Sequence, residues 1–503
     1  MKEAAVSWAK DWSQKDHRAW IMGEWIASEG EDSLTLTEPA TLKAIATYRF
    51  CSLEQLDAAV SGASRVFQEG LWHQKTSMRQ RARIMRSIGQ LIREHQGELA
   101  TLEALNNGKT YREAFEDDLP DCADIFDYYS GWIDKIYGDS VPVEAGLLNY
   151  TSREPLGVVG LIVPWNFPLL MACWKLAPAL ACGNSLVIKP SEHTPLSLIR
   201  LFELISEKID LPPGLVNLVL GGGKLGDAMA RHPGMAKISF TGSTEVGKKI
   251  VGASSQSNLK HVSLELGGKS PNIFFADTPN LQEAIDHSFT VMFSHKGEKC
   301  SEPTRFYIEK SIYSQVVDQL VALCNQTRCG PSFAEGVDQG AQCHLAHFNK
   351  VKSYLTVGRQ DGAKLLCGGE VDPLHHETGG YFVRPTIFGD VTPDMRLSRE
   401  EIFGPILAVK SFDSESEAIQ LANSSDYGLA AGVYTADLSR GHRVASQLEA
   451  GMVFVNRYGC YEFSSPFGGF KQSGWGKDMA HHSIDSYTKT KSIWVHVNHG
   501  SPS

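Results

Sequence analysis

From residue 157 onward the chain runs through short stretches of unbroken apolar, β-branched residues, each followed by a turn and a helical stretch. The first four lie at 157–163, 185–189, 216–220 and 237–241. Strands that are apolar on both faces belong to a parallel sheet covered by helices on either side. A second series follows at 271–276, 304–308, 406–412, 432–435 and 452–456. The pattern predicts two α/β domains with a boundary near 266–269. Before them the chain reads as helical, because Ile84, Ile88, Leu91, Ile92 and Leu99 recur at helical spacing between charged residues. At the far end, 483–497 alternates like an exposed strand. A strand left over at a chain end often pairs with another subunit, so association is expected.

The apolar run 157–183 is long enough to span a bilayer. It also holds Pro164, Pro168, Pro178, Asn166 and Lys175. Helix breakers and a charge make a lipid-facing helix costly, so the run reads as a buried strand, a loop and a buried helix. The polar stretch 1–16 has no hydrophobic signal core. A cytoplasmic protein without a membrane partner is the expectation.

Composition leaves this picture in place. Over 503 residues, 42% are hydrophobic and 21% charged, which is globular usage. The formal net charge of −10, with no basic run, gives no footprint for nucleic acid. The ten cysteines form no CxxC pair and no compact spacing with histidine. No structural zinc or other metal is expected, and a reducing compartment would keep these thiols free.

Four places carry candidate chemistry. A G-x-G-x-x-G at Gly221, Gly223 and Gly226 follows the strand 216–220; it is a dinucleotide fingerprint or merely a glycine-rich turn. The loop 241–247 puts small residues and the Ser243 hydroxyl between a strand and a helix, where backbone N–H groups favour phosphate. Cys300 has Lys296, Lys299 and Arg305 near it in sequence, surroundings that favour thiolate; the alternative is a surface loop with an incidental cysteine. Glu265 ends an apolar strand beside paired glycines. It is either an ion-pair partner or a desolvated general base.

Seven stretches then stand in order: PWNFPL (164–169), WKLAPALACGNSLVIKPSE (174–192), FTGSTEVG (240–247), LELGGKSPNI (264–273), GEKC (297–300), EEIFGP (400–405) and PFGGFKQSG (466–474). On them, and over essentially its whole length, the chain resembles the NAD(P)-dependent aldehyde dehydrogenase superfamily. The resemblance implies an α/β fold with a Rossmann-like NAD-binding domain (1–137 and 157–266) and an α/β catalytic domain (267–470). It adds a small β oligomerisation arm (138–156 and 482–503) in a homodimer or homotetramer.

The activity implied is NAD-dependent oxidation of an aldehyde to its acid through a thiohemiacetal and a thioester. Cys300 matches the nucleophile, Asn166 the oxyanion donor and Glu265 the base that activates water. Lys175 matches a lysine near the cofactor ribose and proton relay; alternatively it is a charge satisfied internally. Lys189 and Glu192 match contacts to the adenosine ribose, where a carboxylate favours NAD over NADP. Gly221 and Gly226 then pack on the adenosine side. Thr241, Gly242 and Ser243 belong to the pyrophosphate turn with Trp165 alongside, and Ile162 and Leu266 complete that part of the cofactor set. Glu401 and Phe403 match the residues that hold the nicotinamide ribose and ring.

Phe167, Trp174, Phe293, Tyr458, Tyr461 and Phe467 are expected in the substrate tunnel, with Glu298 and Glu462 near its mouth. That lining fits an aliphatic or amino-aldehyde, of the γ-glutamylaminobutyraldehyde or betaine-aldehyde type. A CoA-acylating semialdehyde dehydrogenase and a non-catalytic descendant of the fold are the rivals. Four positions depart from the family pattern: Glu298, Pro303, Ser294 and His295.

Overall fold

In the computed structural model, which describes residues 2–497, both series of apolar runs form sheets with parallel cores. The expected arm segment 482–503 extends beyond this, and 498–503 lie outside the described residues. The first sheet has eight strands in the order Glu24–Ile26, Ala19–Ile21, Val216–Leu218, Ser185–Lys189, Val158–Ile162, Lys237–Thr241, His261–Glu265 and Gly474–Trp475. Its central five run parallel, and four of them are buried at every position, as strands covered on both faces must be. The second sheet orders Lys364–Cys367, Thr386–Gly389, Ile406–Phe412, Arg305–Glu309, Pro271–Phe274, Ala430–Tyr434 and Met452–Val455. Only its first strand is antiparallel. This is the expected pair of α/β units.

The run 157–183 resolves into the strand Val158–Ile162, a turn, and the helix Pro168–Ala181. That helix is buried on every side and starts with proline, whose missing N–H costs nothing there. Among the described residues no helix is long and apolar enough to cross a membrane.

Two expectations need correcting. The helical reading of the first third missed the strands Ala19–Ile21, Glu24–Ile26, Ser33–Thr37 and Ala44–Arg49, which are too short to show a period. Residues 483–487 belong to the helix Ala480–Tyr487 and not to a strand. Ile484 and Tyr487 are buried one turn apart in the core of the first sheet. The arm strand begins at Thr488, and Thr488–His496 pairs antiparallel with Leu147–Pro155. Between the second sheet and that helix, Gly474–Trp475 returns to the first sheet and pairs beside the strand that ends in Glu265.

Candidate active site

The parallel strands of the first sheet end at a crevice, the place where open α/β sheets bind ligands. Val158–Ile162 leads into Trp165 and Asn166, Lys237–Thr241 into Ser243, and His261–Glu265 ends on the carboxyl group itself. The second unit closes this crevice into a cavity of ≈ 690 Å³, lined from both sides and including Asn166, Glu265 and Cys300.

The loop carrying Cys300 is strained. His295, Lys296 and Gly297 are consecutively left-handed, with φ of 49°, 63° and 73°. A non-glycine residue held there costs about 1 kcal/mol or more, so the surroundings must hold it. The His295 N–H donates to Glu113 Oε1 at 2.5 Å, and its ring lies 3.1 Å from Asp118 Oδ1. Lys296 donates to the Asn107 carbonyl (2.9 Å) and to its Oδ1 (2.8 Å). At Gly297 a Cβ would lie 2.3 Å from the carbonyl carbon of Gly404, so no other residue fits.

The cations near Cys300 in sequence do not surround its sulfur. Lys296 is committed to Asn107. Lys299 donates to Val291 O and Ser294 Oγ, and Arg305 to the carbonyls of Lys269 and Ala422. Burial, then the Glu265 and Glu401 carboxylates, push the Cys300 thiol up. These surroundings favour the thiol over the thiolate, a correction to the expected thiolate-favouring environment.

Glu265 presents a carboxyl group to the same cavity. Burial first, then Asp478, hold its carboxyl well above the usual range, against Lys175 and Lys477. Its Oε2 is buried without a hydrogen-bond partner, an open acceptor facing the cavity wall. Lys175 makes a buried ion pair with Asp478 at 2.7 Å. It does not line the cavity, so its charge is satisfied internally, by a carboxylate that itself acts on Glu265. Asn166 donates one N–H to the Glu298 carbonyl at 2.7 Å. Its second N–H remains for a ligand.

The expected cofactor residues divide between the cavity and one corner beside it. Ser243 caps the helix Thr244–Ser255, accepting from the Val246 N–H at 3.3 Å. Thr241, Gly242, Ser243 and Leu266 line the cavity, and Thr241 Oγ1 is buried without a partner. In the corner, Lys189 donates to the carbonyls of Pro190 (2.9 Å) and Gly221 (2.8 Å) and lies 3.8 Å from Glu192. Gly226 lies beside the Lys189 stem, and Ile162 is buried at its strand end. Across the cavity, Glu401 accepts the Gly268 N–H at 3.0 Å. A Cβ on Gly267 would lie 2.4 Å from that carboxylate. Phe403 stands edge-on to Trp165 at 5.4 Å.

Of the expected tunnel residues, Phe167, Trp174, Tyr461 and Phe467 line the cavity and Phe293 and Tyr458 do not. Phe293 packs on Phe289 at 4.6 Å in the core of the second unit. Tyr458 is buried, its hydroxyl donating to the Ser301 carbonyl at 2.7 Å. Glu298 is not at the mouth: it is 1% exposed, with Lys296 2.7 Å away. Glu462 is exposed and outside the lining. Besides Glu265 and Glu401, the acids that line the cavity are Asp117, Asp118 and Asp121, which the sequence reading missed. It also missed His344, His347 and Lys350. They follow one another at three-residue spacing, two of them on the helix Leu345–Gln360, and that period was the available signal. Among the described residues no cluster of three or more His, Cys, Asp or Glu groups forms a metal site.

Known proteins resemble this chain over nearly its whole length. The profile of the aldehyde dehydrogenase family matches residues 25–493. The chain is 41% identical over 481 residues to human retinal dehydrogenase 2, covering 95% of this chain and 92% of that protein. A solved structure of an aldehyde dehydrogenase from Bacillus cereus, an NAD+ complex, superposes with a TM-score of 0.93 at 41% identity over 99% and 98% of the chains. The γ-glutamyl-γ-aminobutyraldehyde dehydrogenase of Burkholderia cenocepacia gives 0.94 at 38% identity over 98% and 99%. The chain belongs to the aldehyde dehydrogenase family.

Proposed function

We propose that the chain oxidises an aldehyde to its carboxylic acid with NAD, through a covalent adduct on Cys300. The observation that carries this reading is the meeting of Cys300, Asn166 and Glu265 on one cavity that also holds the residues of a dinucleotide cradle. The cradle fits the group. Thr241 Oγ1 is orphaned, Ser243 opens a helix N-terminus suited to a diphosphate, and Glu192 offers a carboxylate to a ribose diol. Glu401 stands at the opposite end with Lys350 near it. Structures of similar enzymes hold NAD+. Bound here, the dinucleotide supplies the hydride acceptor.

The chain's own residues do the rest. Glu265 takes the Cys300 proton as sulfur bonds to the aldehyde carbon. The free N–H of Asn166 and the Cys300 backbone N–H meet the charge that develops on oxygen. After oxidation the acyl group is a thioester on Cys300. Glu265, having released its first proton to solvent, takes another from a water that attacks the acyl carbon, and the acid leaves with the thiolate restored. The raised proton affinity of Glu265 suits both transfers. The same carboxyl group counts against a CoA-acylating reading, whose thioester must be kept from water.

The substrate class best supported is an amino-aldehyde. Asp117 and Asp121 border a cavity walled by Phe167, Trp174 and Tyr461. Burial, then Asp118 and Asp124, push the Asp121 carboxyl up to about 6, and a cation at that end relieves this crowding. Assembly through the arm is supported by its exposed apolar side chains Leu148, Tyr150, Trp494 and Val495.

NADH formation across length-matched amino-, aryl- and straight-chain aldehydes is the test. Turnover that vanishes in Cys300→Ala and is highest with amino-aldehydes is expected. Turnover retained in Cys300→Ala would overturn the mechanism.

A further inference from the structure

A circuit of buried contacts runs beside Asn166. The Asn107 amide donates to the Trp165 carbonyl at 2.9 Å, and Lys296 donates to Asn107. The Lys296 ammonium lies 2.7 Å from Glu298 Oε2. Glu298 Oε1 accepts the Cys343 N–H at 3.1 Å and lies 3.4 Å from His347 Nε2. The His347 ring then returns to the Trp165 ring, with centroids 4.7 Å apart, and faces Phe403 at 5.9 Å. Asn107, Lys296, Glu298 and His347 are all at most 5% exposed. One member of the circuit touches the machinery on each side. His347 lines the cavity beside Trp165 and Phe403, and the Glu298 backbone carbonyl holds Asn166 two residues before Cys300.

We infer that Glu298 and His347 form a positioning pair that links the nicotinamide side of the cavity to the alignment of Asn166 and Cys300. The inference rests on the proposed function. Neither residue touches the reacting atoms, so each acts through Asn166, Trp165 and the nucleophile loop. Burial pushes the Glu298 carboxyl up to about 7 and the His347 imidazole well down, and the 3.4 Å approach of Oε1 to Nε2 is the contact the pair shares. A loop held in left-handed conformation has little strain to spare, and displacement of a reacting group by 1 Å costs about a hundredfold in rate.

The test compares Glu298→Ala, His347→Ala and the double variant by two readouts. The first is the rate at which iodoacetamide alkylates Cys300, with and without saturating NAD, which needs no turnover. The second is the first-turnover burst of NADH. We expect NAD to change the alkylation rate of the wild-type enzyme and not of either variant. Alkylation without NAD should stay within about twofold of wild type, while the burst slows about tenfold or more in each single variant and no further in the double. His347→Gln, which keeps a donor at that position, should recover part of the burst. Burst losses that multiply in the double variant, or an NAD response equal in wild type and variants, overturn the pair. If Glu298→Ala does not fold, Glu298→Gln, which retains the acceptor for Cys343, is read the same way. Absence of NADH from the wild type with every aldehyde would instead sink the proposed function.

Discussion

The amide of Asn166 is held by the backbone carbonyl of Glu298 at 2.7 Å, so the expected oxyanion donor and the nucleophile loop move as one piece. Asn166→Ala should lower kcat by about 10²–10³, the usual cost of a lost oxyanion donor. NAD affinity, followed by fluorescence titration, should stay near wild type. A fall in affinity with kcat preserved would place Asn166 in binding instead.

Glu265 should show its role in the approach to steady state. It works as a base only when deprotonated, and burial with Asp478 holds it well above the ordinary carboxylate range. The steady-state rate should therefore climb with pH above that range. Glu265→Gln should slow the NADH burst, lose the climbing limb, and fall by about 10²-fold or more in turnover. Stopped-flow absorbance across pH reads all three.

Glu192 stands 3.8 Å from the Lys189 ammonium in the expected adenosine corner. A carboxylate there accepts from a ribose diol and repels a 2′-phosphate. Wild type should prefer NAD. Glu192→Gln should narrow the NAD-to-NADP ratio of kcat/KM about tenfold or more, since one like-charge contact near a surface is worth about 1–4 kcal/mol.

Lys237 lies wholly buried with its ammonium 5.0 Å from the centre of the Tyr487 ring. Burial, then Lys175, bring its pKa down from 10.5 to about 7. The folded chain thus favours the neutral amine. That contribution is fully present above pH 10.5 and is lost as pH falls from there to about 7. Lys237→Met should raise Tm at pH 7, by roughly 1–3 kcal/mol of stability, and flatten the pH dependence across that window. Calorimetry from pH 7 to 10.5 checks both.

The parallel cores were legible in the sequence because most of their strands are buried on both faces and read as unbroken apolar runs. The strand Ala19–Ile21 is three residues long and carries no period at all. Residues 483–487 alternate by chance, while Ile484 and Tyr487 are placed by helical spacing against a distant core. In the site, motif residues such as Cys300, Glu265 and Asn166 meet on one cavity. What neighbours in sequence imply about charge did not carry over, because Lys296, Lys299 and Arg305 each bond away from the sulfur. Glu298 reads as a surface acid from its letter alone. Only the fold reveals the Lys296 ammonium and Cys343 N–H that hold it inside.

Gly474–Trp475 seals the outer edge of the first sheet, where the Trp475 indole donates to the Val262 carbonyl at 3.0 Å and the Leu266 N–H to Ser473 O at 3.0 Å. That seal is made of residues more than two hundred positions downstream of the strand it covers. On a ribosome, the strand ending in Glu265 emerges long before its cover is synthesised. During that interval an unpaired row of backbone donors and acceptors is open to other nascent chains. Translation must pass Trp475 before Glu265 acquires its final surroundings, so truncation before Gly474 should cost solubility and activity together.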